Sequence, residues 1–115
     1  MGRRNRRRER LAAPVSEYRD AEGNALRLRG SLSPGSRREY AAVIAGGIDR
    51  EDAWQRGVEF LFERLAVSWS IAGLEIERQR ELLGRYRLAS GEERRFVRDS
   101  LREHLSEHFP ELQAP

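Results

Sequence analysis

Residues 49–73 carry the strongest structural pattern in this chain. Apolar residues recur there every three or four positions, and charged residues fill most of the remaining positions. Such spacing gives a helix one apolar stripe, which has to be buried against other elements. The pattern predicts a long amphipathic helix that runs into a Trp-Ser-Ile-Ala-Gly end at residues 69–73. Its apolar positions are Trp54, Val58, Leu61, Phe62, Leu65, Ala66 and Trp69.

Three further helices are predicted from their start and stop signals. Ser33-Pro34 is typical of an N-cap followed by the first helical residue, and Gly46-Gly47 ends that helix. A third helix is expected over about 77–88. The fourth begins at residues 90–93 (Ser-Gly-Glu-Glu), which have the form of a capping box, and should end near His108. The apolar positions of these helices are Tyr40, Val43 and Ile44; Ile76, Leu82, Leu83 and Tyr86; and Phe96, Val97, Leu101 and Leu105.

A β-hairpin is predicted before the first helix. In the segment Ala25–Arg29, leucines alternate with arginines, which is the period of a strand with one buried face. Gly23-Asn24 supplies residues that tolerate positive φ, so the chain can turn back along Val15–Arg19. Because two strands alone are marginally stable in water, this hairpin must lean on the helices.

The expected fold is therefore mainly α: a small domain of about four helices with a short hairpin at about 15–29. We expect a disordered basic arm at 1–13, one helical domain at 14–110 and a C-terminal tail at 111–115. A chain of 115 residues has room for one such core. It has no apolar run of about 18 residues, as a membrane span requires, and no cysteine for disulfides or thiolate metal sites. A cytoplasmic, membrane-free protein is the simplest expectation.

The charge is concentrated at the N-terminus. Residues 1–10 hold six arginines and one acid, a net of +5, whereas the other 105 residues hold 16 arginines and 18 acids, a net of −2. An arginine cluster can neutralise phosphates, so it could contact nucleic acid, or it could be a solvated tail. No basic stripe is expected on any predicted helix. The candidate nucleic-acid contacts are Arg3, Arg4, Arg6, Arg7, Arg8 and Arg10.

One motif raises the question of catalysis. Residues 104–108 (His-Leu-Ser-Glu-His) match the inverted zinc-protease pattern, in which two histidines four apart on a helix reach one metal. The pattern is short, and the third ligand that such a site needs is missing. We therefore interpret these residues as an exposed helix end, where histidines suit the helix dipole. No catalytic, cofactor-binding or metal-binding residue is predicted, and the protein is not expected to be an enzyme.

The aromatic residues of the long helix raise the question of partner binding. Trp54, Phe62 and Trp69 lie on the apolar stripe and are expected mainly in the core. Phe60 and Ile48 lie off the stripe, so they either widen the core face or belong to a partner surface.

The order of these elements resembles that of the small tail assembly chaperones of long-tailed bacteriophages and prophages. The resemblance covers about residues 15–108. It rests on residues 60–69 (Phe-Leu-Phe-Glu-Arg-Leu-Ala-Val-Ser-Trp), on the following residues 71–74 (Ile-Ala-Gly-Leu) and on residues 81–83 (Glu-Leu-Leu). It also rests on an N-terminal strand pattern formed by Asp20, Gly23, Leu26, Leu28 and Arg29.

The resemblance implies a non-enzymatic function in the host cell cytoplasm. Such a chaperone holds the tape measure protein, a long helical ruler whose apolar stripes would aggregate before the tail tube encloses it. The tail tube protein is a possible second partner, and a homo-oligomer is possible. The partner-binding residues that follow are Phe60, Phe62, Trp69, Ile71 and Leu74.

Two other interpretations stay open at this stage. In the first, a small nucleic-acid-associated protein binds through its arginine arm, and binding should fall steeply with salt. In the second, the chain is an oligomeric helical adaptor without a polypeptide client.

Overall fold

The structure, a computed structural model, describes residues 14–47 and 49–115 of the chain. These residues contain four helices and four strands. The predicted arm at 1–13 and Ile48 lie outside the described residues. In chain order the elements are β1 (Val15–Arg19), β2 (Ala25–Arg29), α1 (Pro34–Ala45), α2 (Arg50–Leu65), β3 (Ala66–Ile71), β4 (Leu74–Ile76), α3 (Gln79–Arg87) and α4 (Gly91–His108).

The four strands form one antiparallel sheet in the order β1-β2-β3-β4. Tyr18 lies opposite Leu26, Leu26 opposite Trp69, and Trp69 opposite Ile76, so one row of side chains crosses the whole sheet. Directly opposed residues of an antiparallel pair share a face. This row therefore belongs to the apolar face that the helices cover, while the opposite face is mainly polar, with Glu17, Arg27 and Ser68 opposed across it.

The four predicted helices and the N-terminal hairpin are confirmed, but the expected extent of β-structure is too small. The hairpin is only half of the sheet, because the predicted long helix ends at Leu65 and the chain passes directly into β3. In β3, Ser68 and Ser70 alternate with Trp69 and Ile71, which is a strand period. The third helix begins at Gln79 rather than near 77, since the preceding residues form β4 against β3.

The helix starts follow the local chemistry expected of them. Ser33 Oγ accepts the Ser36 backbone N–H at 3.0 Å at the start of α1. At the start of α4 the capping box is complete, because Ser90 Oγ accepts the Glu93 N–H and a Glu93 carboxylate oxygen accepts the Ser90 N–H, at 3.2 and 2.8 Å. These bonds also lower the pKa of Glu93, first through the Ser90 backbone N–H.

Replacing Ser90 by Ala is expected to lower the free energy of unfolding by about 1 kcal/mol, the usual effect of losing an N-cap hydroxyl. Urea unfolding measures the change. Ser106→Ala is the matched control, since Ser106 is exposed on the same helix, and it should shift the free energy of unfolding by less than about 0.5 kcal/mol. Equal effects of the two substitutions would contradict a role for the cap.

The core lies between the sheet and the helices and is centred on an aromatic cluster. The Phe62 ring stacks on Tyr86 at a centroid distance of 5.1 Å and meets Trp69 edge-on at 5.7 Å. Residues 111–115, expected to be a tail, also lie on this body: the Tyr40 hydroxyl donates a hydrogen bond to the Gln113 carbonyl, and Leu112 packs against the core. The helices and the C-terminal segment thus hold one apolar interior against one face of the sheet.

Candidate partner-binding surfaces

The predicted partner-binding residues fall into two groups in the fold. Phe62 and Trp69 are buried, at 0% and 1% exposed, so their side chains form core and present no surface to a partner. Phe60 and Ile71 are half-buried, and Leu74 is 72% exposed. Of the five partner-binding residues that the resemblance implies, only Phe60, Ile71 and Leu74 have side chains that a partner can reach.

Two of these residues meet at the β3–β4 turn. Ile71 lies directly opposite Leu74, and the two residues between them, Ala72 and Gly73, have φ values of 51° and 81°. This is the conformation of a tight two-residue hairpin turn. The Ala72 N–H donates a hydrogen bond of 3.0 Å to the side chain of Asn24, which ties this turn to the β1–β2 turn.

Phe96 of α4 completes an apolar surface beside this turn. Phe96 and Ile71 line the same open depression, and Leu74 lies opposite Ile71 at its edge of the hairpin. We call Ile71, Leu74 and Phe96 the hairpin-tip patch. Phe96 was expected only as a core residue of α4. Helical spacing identifies the apolar stripe of a helix, but it does not show which residues of the stripe the neighbouring elements leave exposed. The patch has a carboxylate rim that includes Asp20, Glu22 and Glu92. The rim and the patch together suit a partner that presents apolar and basic side chains.

A second depression lies between α2 and α4 and has two adjoining parts, which share Gln55, Val58 and Arg98. On its floor, the half-buried Trp54 lines one part, the buried Tyr86 lines the other, and the buried Val58 lines both. The expectation that no helix carries a basic stripe is wrong for α4, which lines this depression with four arginines. We call the depression the arginine groove, defined by its floor residues and by Arg94, Arg95, Arg98 and Arg102.

The two histidines of the zinc-protease motif serve the packing of α4 on the sheet. His104 is 0% exposed, and its Nε2–H donates a hydrogen bond of 2.8 Å to the Arg29 carbonyl. A neutral ring then accepts at Nδ1, where the Tyr18 hydroxyl donates at 2.9 Å. His108 is half-buried and bonds to the Ser16 hydroxyl at 3.1 Å. The interpretation of an exposed helix end is therefore wrong for His104.

This arrangement leaves no free nitrogen on His104 for a metal. Within residues 14–47 and 49–115, no group of three or more His, Cys, Asp or Glu side chains is placed to hold a metal ion. Burial lowers the pKa of His104, and the nearby His108 acts in the same direction, while the hydrogen bond to Arg29 opposes the shift. The neutral ring is the form that the two hydrogen bonds require.

No family model, curated protein or solved structure matches the chain. Among the described residues, no helix combines the length and the apolar character needed to cross a membrane. In the part of the chain that the structure describes, the fold class is four helices packed on an antiparallel four-stranded sheet.

Proposed function

We propose that this protein is a non-enzymatic tail assembly chaperone that binds and shields the tape measure protein during tail assembly. The hairpin-tip patch is the observation that carries the proposal. Leu74 is 72% exposed and lies opposite the half-buried Ile71, which lines one depression with the half-buried Phe96. Clustered exposed apolar residues with a polar rim are typical of protein interaction sites.

The size of the patch suits a client that has to be released. Three apolar side chains can cover about one turn of a client helix, so a single copy should bind weakly. Several copies along one long ruler would together shield its stripe, and the growing tube could displace them one at a time. The acidic rim would favour client segments that carry basic residues beside their apolar stripe.

Replacing Leu74 by Ser should weaken binding of a tape measure fragment about tenfold, the effect of losing roughly 1.4 kcal/mol of apolar contact. The free energy of unfolding should change by less than about 0.5 kcal/mol, because the side chain is exposed. Titration calorimetry with the fragment and urea unfolding measure the two quantities.

Leu88→Ser is the matched control, since Leu88 is 84% exposed after α3 and lies outside the patch. It should leave the dissociation constant unchanged. Equal weakening by both substitutions, or by neither, would contradict a role for the hairpin-tip patch.

A capture experiment tests the function itself. The intact chain and a version lacking residues 1–10 would be used to recover partners from the source cells under prophage induction, with and without nuclease. A chaperone should recover the tape measure protein in all four conditions. Loss of recovery with nuclease, or with the arm removed, would contradict the proposal.

The arginine groove favours a second candidate, a nucleic-acid-associated protein. Its α4 arginines could join the arm in contacting phosphates, although the body carries a net charge of −2 outside residues 1–10. Binding to duplex DNA should then fall steeply with salt and should require residues 1–10, because the rest of the chain has a net negative charge. DNA binding that survives removal of the arm would contradict this alternative.

A further inference from the structure

We propose that the arginine groove binds an acidic amphipathic helix of a partner protein. The groove uses Arg94, Arg95, Arg98 and Arg102 of α4, whereas the hairpin-tip patch uses Phe96. It is thus a second surface, and the inference goes beyond the proposed function.

The shape of the groove fits a helix. Its walls are two packed helices, α2 and α4, with Ala114 and Pro115 lining the end beside Arg102. A groove between helices is a usual seat for a third helix. Arg94, Arg98 and Arg102 are spaced four apart, so they lie along one side of α4 over about 12 Å at 1.5 Å per residue. That distance matches about two turns of a bound helix.

The floor supplies an apolar anchor. Trp54 is half-buried, and it lines the groove together with Val58, which is 4% exposed. Large aromatic side chains at the centre of a contact commonly contribute most of its binding energy. The apolar stripe of an incoming helix would cover the exposed part of the Trp54 ring.

The net positive charge of the groove lining favours a partner with negative charge. Six arginines and three acids line it, a net of +3, although the chain outside residues 1–10 has a net charge of −2. The lining charges are Arg50, Arg56, Arg94, Arg95, Arg98 and Arg102 against Glu51, Asp52 and Glu59. A concentrated positive field on an acidic body attracts carboxylates.

Two of the four α4 arginines are held by backbone carbonyls, and the other two are not. Arg94 donates a hydrogen bond of 2.8 Å to the Arg87 carbonyl, and Arg102 donates one of 2.9 Å to the Pro115 carbonyl. Arg95 and Arg98 make no hydrogen bond or ion pair within residues 14–47 and 49–115, and both are exposed. Their guanidinium groups are therefore available to pair bidentately with carboxylates of the incoming helix.

Two synthetic peptides of about 20 residues provide the probe, a length above the roughly 12–15 residues below which isolated helices are marginal. Both carry the same leucine stripe, and their remaining positions are glutamate in one and lysine in the other. The acidic peptide should bind with a change in Trp54 fluorescence, and its binding should weaken as salt is added. The lysine peptide suits the carboxylate rim of the hairpin-tip patch instead, so at the same concentrations it should leave the Trp54 fluorescence unchanged.

Arg95→Glu/Arg98→Glu should weaken binding of the acidic peptide at least tenfold. Arg38→Glu/Arg80→Glu is the matched control, because it changes the net charge equally at two exposed positions outside the groove. Circular dichroism melting checks that both variants stay folded, and Leu74→Ser should bind the peptide normally even if the chaperone proposal fails.

Three results would overturn the inference. The two peptides could change the Trp54 fluorescence equally, or the groove variant could bind the acidic peptide as tightly as the control variant does. Alternatively, duplex DNA could bind tightly and depend on Arg95 and Arg98 while the acidic peptide does not, which would assign the groove to nucleic acid.

Discussion

Replacing Trp69 by Ala is expected to lower the free energy of unfolding by about 3–5 kcal/mol. Trp69 is 1% exposed, lies in the third of four strands and meets the Phe62 ring edge-on at 5.7 Å. The Arg85 guanidinium also lies 5.5 Å from its ring centroid. The substitution thus removes a contact that joins the sheet to α2 and α3. A domain of this size has a total stability of only about 5–15 kcal/mol, so much of the protein should unfold under mild denaturant.

Trp69→Phe is the conservative comparison and should cost only about 1–2 kcal/mol. The indole Nε1 of Trp69 is buried without a hydrogen-bond partner among the described residues, so phenylalanine loses volume but no such bond. Urea unfolding followed by circular dichroism measures both variants. If Trp69→Ala weakened partner binding and left stability unchanged, Trp69 would be the partner residue that the resemblance implies, and its burial would be contradicted.

The helix starts could be predicted because their chemistry is local. Ser33 and Ser90 accept hydrogen bonds from backbone N–H groups only three residues away, so the signal and its result lie within one turn. The β1–β2 hairpin could be predicted for the same reason, since a short turn joins its two strands. These elements needed no knowledge of the rest of the chain.

Strands β3 and β4 could not be predicted in this way. Leu65, Ala66 and Trp69 satisfy the helical spacing as well as a strand can over so few residues, so the pattern does not show where α2 ends. The end is decided by β2, whose Leu26 pairs with Trp69 across more than forty residues of chain. The alternation of Ser68 and Ser70 with Trp69 and Ile71 is a local strand signal, but it is too short to outweigh the helical spacing that precedes it.

Of the residues on the candidate surfaces, some could be named from the sequence and others could not. Leu74 was named from its place after the tryptophan, and its exposure is consistent with that role. Phe96 and the arginines of α4 were missed as surface residues, because which sides of α4 stay open depends on how α2 and the sheet cover it. Amphipathic spacing identifies the buried stripe of a helix but not the neighbours at its margins.

Replacing His104 by Ala is expected to lower the free energy of unfolding by about 2–5 kcal/mol, because a fully buried ring is removed and two partly buried polar groups lose their partner. The Tyr18 hydroxyl and the Arg29 carbonyl both bond to the His104 ring, which joins α4 to β1 and β2. His108→Ala should cost less, since His108 is half-buried and bonds only to Ser16. Urea unfolding at pH 8 measures the two substitutions. Equal costs would contradict the central place of His104 in the packing of α4.

The same residue should make stability depend on pH. Burial holds the pKa of His104 below the ordinary 6.5, so below about pH 6.5 the unfolded chain binds a proton that the folded protein does not. The contribution of the neutral ring is therefore fully present above that pH and is lost as the pH falls from 6.5 through the lower pKa of the folded state. His104→Gln removes this titration, so its free energy of unfolding should fall less over that range than that of the unmodified protein. Parallel losses in the two proteins would show that other groups set the acid sensitivity.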